Sequence, residues 1–357
     1  MTDPQSMPPE SQAAVPPESP VAVQPGVPAA IEPDDSRPAA VVVDKVTKQF
    51  GDLVAVGDVS LNVPEGTILG VIGPSGAGKT TFVRMLTGAI APSSGTVRVL
   101  GEDPRRFRRG TRQRLGYMPQ QFSLYLDLTT RENVDFFASL FGMLFSRRHR
   151  RTREVLEVVD LWDARSRRAS QLSGGMQRRL ELACALVHEP ALMFLDEPTT
   201  GIDPLLRARI WEELQGLRDA GRTILVTTQY LPEAELCDSV ALIANGRLVA
   251  HDTPEGLRRA AIGGDIIDIE TAAAFDADTL ADLPLVLSST QLGPRHLQVV
   301  VGDVGTATPL VVDAIGERGG EVESAREHRP TFDEIFAELV RRDREARGEA
   351  ADAEAVA

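Results

Sequence analysis

Ile68-Leu69-Gly70-Val71-Ile72-Gly73-Pro74-Ser75-Gly76-Ala77-Gly78-Lys79-Thr80-Thr81 is the stretch on which the reading of this 357-residue chain turns. Its apolar start reads as a buried strand, a glycine-rich turn follows, and residues 82–86 continue as a helix. The turn fits G-x-x-x-x-G-K-[ST]: Gly73 opens it, Pro74, Ser75, Gly76 and Ala77 fill it, and Gly78, Lys79 and Thr80 close it. Phosphate chemistry accounts for each part. Glycine has no Cβ to block close backbone approach, so successive N–H groups can converge on phosphate oxygens. The helix start that follows adds partial positive charge. Lys79 is expected to reach the β- and γ-phosphates, and the Thr80 hydroxyl to ligate Mg²⁺. A glycine-rich turn that binds nothing is the alternative, and the strand before and helix after weigh against it.

Composition sets outer limits. The chain is long enough for two domains with apolar cores. Lys plus Arg number 38 against 52 Asp plus Glu, a formal net charge of −14, which argues against non-specific nucleic-acid binding. Cys184 and Cys237 are far apart, carry no metal spacing and imply no disulfide framework. No apolar run approaches the roughly 20 residues that span a bilayer. The N-terminus lacks the basic start and apolar core of a signal peptide. The expectation is a cytoplasmic protein whose membrane role, if any, comes through a partner.

Residues 1–38 are rich in Pro, Ala, Glu, Ser and Val without periodicity and read as a disordered tail. An α/β domain is expected over 39–256, with strands at 41–43, 61–63, 96–100, 191–195 and 223–228. Asn245-Gly246 joins the strands 241–243 and 247–249 as a hairpin. Within that domain, about 122–180 reads as a helical subdomain, its first helix capped by Thr129 or Thr130. The Arg-rich run around His149 reads as a solvated face. A helix is expected over 178–187 and another over 205–218. Residues 257–344 read as a small α+β module with strands at 266–269, 285–287, 297–301 and 321–322 and helices at 271–280 and 309–318. That β-α-β-β-α-β order is ferredoxin-like. A closing helix from Pro330 sets Phe332, Ile335, Phe336, Leu339 and Val340 on one face. Residues 345–357 read as a frayed tail.

Three further stretches narrow the chemistry. Leu172-Ser173-Gly174-Gly175-Met176-Gln177 precedes a helical run, Phe194-Leu195-Asp196-Glu197-Pro198 ends an apolar strand in two carboxylates, and Gly201-Ile202-Asp203 follows. Together with the glycine turn, and in this order, they resemble the ATP-binding cassette (ABC) ATPases over about residues 41–253. Met118-Pro119-Gln120, residues 128–133, Thr227-Thr228-Gln229-Tyr230-Leu231 and Phe332-Asp333-Glu334-Ile335-Phe336 look like the drug-efflux ATPases of the daunorubicin-resistance group.

The resemblance implies roles. Asp196 would help hold Mg²⁺, and Glu197 would orient or deprotonate the attacking water. Gln120 resembles the glutamine that senses Mg²⁺ and γ-phosphate, with Gln121 as the competing assignment. Phe50 stands where the family places an aromatic on adenine; an ordinary core phenylalanine is the alternative. Ser173, Gly174, Gly175 and Gln177 would face the nucleotide of a second copy, and Asp203 would lie across that dimer interface. Gln229 occupies the place of the family's usual histidine; a turn cap is the alternative.

The resemblance implies an α/β P-loop core with an inserted helical subdomain and a C-terminal module. It implies ATP and Mg²⁺ as ligands and a second copy or a homologous ATPase as one partner. The other partner would be a membrane permease, most consistent with an exporter and placing the chain on the cytoplasmic face of the membrane. Two rivals stand beside it: a soluble ABC ATPase acting on a non-membrane partner, and a non-hydrolysing regulatory module, against which Lys79, Asp196 and Glu197 argue and which Gln229 keeps open.

Overall fold

The computed structural model of the chain describes residues 37–120 and 123–347. β1 (Ala39–Phe50) and β2 (Leu53–Pro64) form an antiparallel hairpin through Gly51-Asp52. β3 (Ile68–Ile72) leads through the glycine turn into α1 (Lys79–Leu86), and β4 (Ser94–Val99) returns to pair with β1. The single turn α2 (Arg109–Arg112) precedes β5 (Leu115–Met118). Three helices follow: α3 (Thr130–Leu140), α4 (Phe145–Val158) and α5 (Gly174–Leu186). The α/β alternation then resumes with β6 (Leu192–Asp196), α6 (Pro204–Asp219), β7 (Thr223–Thr228) and the hairpin β8 (Ser239–Ala244) and β9 (Arg247–Asp252).

The main sheet has the order β5-β6-β7-β3-β8-β9, parallel from β5 to β8 and antiparallel at β9. Every residue of β3, β6, β7 and β8 is buried, as expected of parallel strands covered on both faces. Ile68 and Ile72 enter one core, and Leu69 and Val71 the other, so the strand that carries the glycine turn is clamped from both sides. Asn245 (φ 49°) and Gly246 (φ 76°) close the β8–β9 hairpin with the two positive φ angles such a turn demands. Thr129, not Thr130, caps α3 in a reciprocal box with Glu132.

The C-terminal part comprises α7 (Pro254–Ile262), β10 (Asp265–Thr271), β11 (Val286–Gly293), β12 (His296–Val301), α8 (Val304–Glu317), β13 (Val322–His328) and α9 (Phe332–Ala346). Its antiparallel sheet, β11-β12-β10-β13, is the split order of a ferredoxin-like unit. Phe332, Ile335 and Leu339 of α9 do not serve that sheet. They join the core on one face of the six-stranded sheet, where α9 packs on α7 and β9.

Several expectations need correction. Residues 271–280 are not a helix: Thr271 ends β10 opposite Val322, and only Ala277–Leu280 forms a 3₁₀ turn. The backbone between them bonds outward, Ala272 N–H to the Glu321 carbonyl and Phe275 N–H to that of Pro294. α8 begins at Val304 rather than at Pro309, because Asp303 caps it by accepting from Thr306 N–H at 2.8 Å; Pro309 sits inside the helix. α5 begins at Gly174, four residues early, because Ser173 is its cap. Sequence reading passed over the short strand β5 and over α7, and a boundary between 256 and 257 falls inside α7. α9 runs two residues past the expected 344. Gln121, Phe122 and nearly all of both expected tails lie outside the described residues.

Candidate functional site

The glycine turn is a backbone device whose space is already taken. A Cβ on Gly73 would stand 2.0 Å from the Ile243 carbonyl oxygen, and one on Gly78, which caps α1 at φ 102°, would stand 2.3 Å from that of Ala55. Only glycine leaves room for both approaches. Lys79 is 5% exposed, and its Nζ donates to the Gly73 and Pro74 carbonyls at 2.7 and 2.9 Å. Burial lowers its pKa, and the nearby charges of Glu197 and Asp196 oppose that shift.

The turn floors a cleft of about 610 Å³. Ser75 through Thr81 line it, together with Gln120, Glu197 and Phe50. The Thr80 hydroxyl donates to Gln120 Oε1 at 3.3 Å. Phe50 is 49% exposed with the Lys48 ammonium 4.9 Å from its ring centre, so it is a wall of the cleft and not a core residue. Sequence reading missed Leu53, Val54, Ala55, Asn245 and Gly246, which complete the lining. Their only local signal was turn chemistry. The Gly246 N–H ties the β8–β9 turn to the glycine turn through the Ala77 carbonyl (3.0 Å), and the Gly57 N–H joins it to the β1–β2 hairpin through the Gly246 carbonyl (2.7 Å).

Behind the cleft, β6 ends in the two carboxylates. Asp196 is fully buried; Oδ1 accepts from the Thr227 hydroxyl, while Oδ2 is buried with no protein partner. Glu197 adopts φ 55°, an uncommon left-handed conformation for a non-glycine residue. Its N–H donates to the Thr227 carbonyl at 3.0 Å and to Thr227 Oγ1 at 3.1 Å, and its Oε2 accepts from the Thr200 hydroxyl at 3.3 Å. Thr227 was read from the sequence only as part of a strand and a resemblance. The Thr80 hydroxyl, Gln120 Oε1 and the unpartnered Asp196 Oδ2 are hard oxygen donors of the kind that Mg²⁺ takes.

Other expected site residues lie elsewhere. Ser173, Gly174 and Gly175 open α5 outside this cleft, with Ser173 Oγ accepting from Met176 N–H at 3.3 Å. Gln177 donates its amide to the Ala169 carbonyl at 2.9 Å, and Asp203 caps α6 by accepting from Leu206 N–H at 3.0 Å. Those two side chains carry tasks within the chain where ligand contacts were expected. Gln229 is exposed just past β7 and is not among the lining residues. Its loop is anchored behind by Glu233, which accepts from the Thr199 hydroxyl at 2.6 Å in the interior.

Residues 56–200 match the ABC transporter family, and residues 253–340 match the C-terminal domain described as ATP-binding protein DrrA1-3-like. The chain is 40% identical over 307 residues to the daunorubicin resistance ATP-binding protein DrrA3 of Streptomyces coeruleorubidus, covering 85% of this chain and 97% of that one. It is 44% identical to the Nod factor export ATP-binding protein I of Paraburkholderia xenovorans over 65% of this chain and 76% of that protein. Among solved structures, the ATP binding subunit of an ABC transporter superposes with a TM-score of 0.58 at 29% identity, covering 62% of this chain and 92% of that one. The ATP-binding cassette MJ0796, a dimer bound to ADP and Pi in a post-hydrolysis state, superposes with a TM-score of 0.56 at 27% identity, covering 60% of this chain and 98% of that one.

Proposed function

We propose, because the chain belongs to the ATP-binding subunits of ABC transporters and within them to the DrrA-like group, how its cleft hydrolyses ATP to power export through a separate permease. The observation that carries the site reading is the P-loop cleft in which the Thr80 hydroxyl meets Gln120 Oε1 and Glu197 lines the wall, with the charges of Glu197 and Asp196 both acting on Lys79. In this reading Lys79 exchanges its two loop carbonyls for β- and γ-phosphate oxygens, which restores the charge partner that burial removed. The turn's N–H groups bind the same phosphates, and Phe50 stacks on the base. Thr80, Asp196 and Gln120 would hold Mg²⁺, which when bound would neutralise charge on the transferring phosphate. Glu197, fixed by its backbone bonds to Thr227 and by Thr200, orients the water and takes its proton.

A second copy completes the arrangement. Ser173, Gly174 and Gly175 lie away from the cleft of their own chain, so they are free to meet the γ-phosphate bound by a partner copy, with Gln177 and Asp203 shaping that face. Gln229 reaches the same phosphate once the cleft is covered. No helix among the described residues is long and apolar enough to cross a membrane. In this reading the cargo path belongs to a separate permease, with this subunit on its cytoplasmic side. The cargo class, by analogy with the relatives' names, is a drug, antibiotic or lipid-like compound.

Glu197→Gln tests both halves. It keeps the backbone bonds but removes the proton acceptor, which costs about 10² to 10⁴ in rate. Expected are retained ATP binding, lost turnover and a dimer in ATP that light scattering finds monomeric in ADP. Unchanged steady-state ATPase would sink the assignment of Glu197; a nucleotide-independent mass would sink the shared site.

A further inference from the structure

Arg178 and Glu181 lie one turn apart on α5, directly after the Ser173–Gly175 stretch. They pair at 3.0 Å with side chains 6% and 1% exposed. All three guanidinium nitrogens of Arg178 are engaged. Nη1 donates to the Pro119 and Gln120 carbonyls at 2.7 and 3.2 Å. Nε and Nη2 donate to the Glu197 carbonyl at 3.2 and 3.0 Å, and Nη2 also donates to that of Asp196. Glu181 in turn accepts at Oε1 from Ser123 N–H at 2.6 Å and from the Ser123 hydroxyl at 3.3 Å. One ion pair therefore grips the chain on both sides of the short segment after Gln120, and holds the backbone of both carboxylates.

Stability alone does not account for it. Burying two charges is costly, and apolar replacements of buried ion pairs are often no less stable. Desolvation pushes the Glu181 pKa up in spite of its partners, so the pair is held against a real penalty. What arginine alone supplies is five donors in a rigid fork, able to fix several carbonyls at once.

We infer that the Arg178–Glu181 pair is the positioning unit of this site, setting Gln120 and Glu197 relative to each other and tying both to α5. This rests on the reading that Ser173–Gly175 meets the nucleotide of a second copy. Any displacement of α5 on that contact is then passed to Gln120 through Pro119 and Ser123, and to Glu197 through its carbonyl. Neither Arg178 nor Glu181 lines the P-loop cleft.

The test is steady-state ATPase, ATP affinity, Mg²⁺ dependence and thermal midpoint for wild type, Arg178→Gln, Arg178→Lys and Glu181→Gln. Misplacing a reacting group by an ångström costs about 10²-fold. Arg178→Gln is therefore expected to lose at least about tenfold in kcat, with ATP affinity held within about threefold and a higher Mg²⁺ requirement. Arg178→Lys, a point charge with fewer fixed donors, should recover part of the rate. Glu181→Gln, which keeps an acceptor for Ser123, should fall between. Unchanged kcat in Arg178→Gln overturns the proposal, as does a parallel fall of kcat, affinity and thermal midpoint in all three variants. Should Arg178→Gln not fold, the other two variants decide by the same split. A wild type without Mg²⁺-dependent hydrolysis overturns the site reading, and this proposal with it. Hydrolysis in wild type that Arg178→Gln leaves unchanged overturns this proposal alone.

Discussion

The hydroxyl of Thr227 donates to Asp196 Oδ1 and at the same time accepts from Glu197 N–H at 3.1 Å. One buried side chain on β7 thus sets the carboxylate on β6 and the strained residue beside it. Thr227→Val keeps the shape and removes both bonds. A buried acceptor left unpaired costs about 1–3 kcal/mol, so chemical denaturation should show a loss of that size. A drop of roughly tenfold in kcat should accompany it, as expected of disturbed positioning. Thr227→Ser should restore both. A fully active Thr227→Val would mean that the strand alone positions the two carboxylates.

Gly73 and Gly76 separate two reasons for glycine. At Gly73 an added methyl meets a carbonyl oxygen at 2.0 Å, whereas Gly76 has φ 78° and open space around it. Gly73→Ala is expected to destabilise by several kcal/mol or to abolish soluble expression, since backbone must move. Gly76→Ala should cost only about 1–2 kcal/mol, the penalty of a left-handed alanine. Urea midpoints for the two variants check the order; equal losses would refute the steric account.

Gln229 can donate an amide N–H to a phosphate oxygen but cannot become a cation. Gln229→Ala is expected to slow hydrolysis markedly while ATP affinity stays within a few-fold. Gln229→His should keep activity and add a pH dependence between about pH 6 and 7.5, where imidazole titrates. Plots of kcat against pH for the three proteins decide it. Wild-type rates in Gln229→Ala would leave this exposed glutamine without a role in the reaction.

His188 ties stability to acid. It stacks on Phe141 with ring centres 3.6 Å apart, its Nε2 bonds the Leu115 carbonyl, and burial lowers its pKa to about 4. The unfolded chain binds this proton near pH 6.5, so below that pH the unfolded state gains protons that the folded state refuses. Stability from this group is intact above about pH 6.5 and is lost as the pH falls toward 4, by up to about 3 kcal/mol. Urea unfolding of wild type and His188→Gln at pH 7, 6 and 5 isolates the term. The variant should lose less on acidification; identical slopes would show that His188 titrates normally.

The sequence by itself determined the parts whose cause is local. Gly73 to Thr80, the apolar strands ending in Asp196 and in Thr228, and the Asn245-Gly246 turn follow from backbone freedom, continuous apolar runs and residue type within a few positions. Ser173, Asp203 and Thr129 could be read as polar residues before helices, although the start of α5 at Gly174 became plain only from the Ser173 cap. The tertiary structure decided what depends on distance across the chain. The strand β5 has too few residues to announce itself and is ordered by pairing with β6. The cleft walls at residues 53–55 and 245–246 are set by the packing of two hairpins, and the grip of Arg178 on four carbonyls joins segments about 20 to 60 positions apart. Helix α9 carried an apolar face that periodicity revealed, but whether that face served its own sheet or the ATPase core was undetermined. Amphipathicity says that a face must be buried; only the packed molecule says against what.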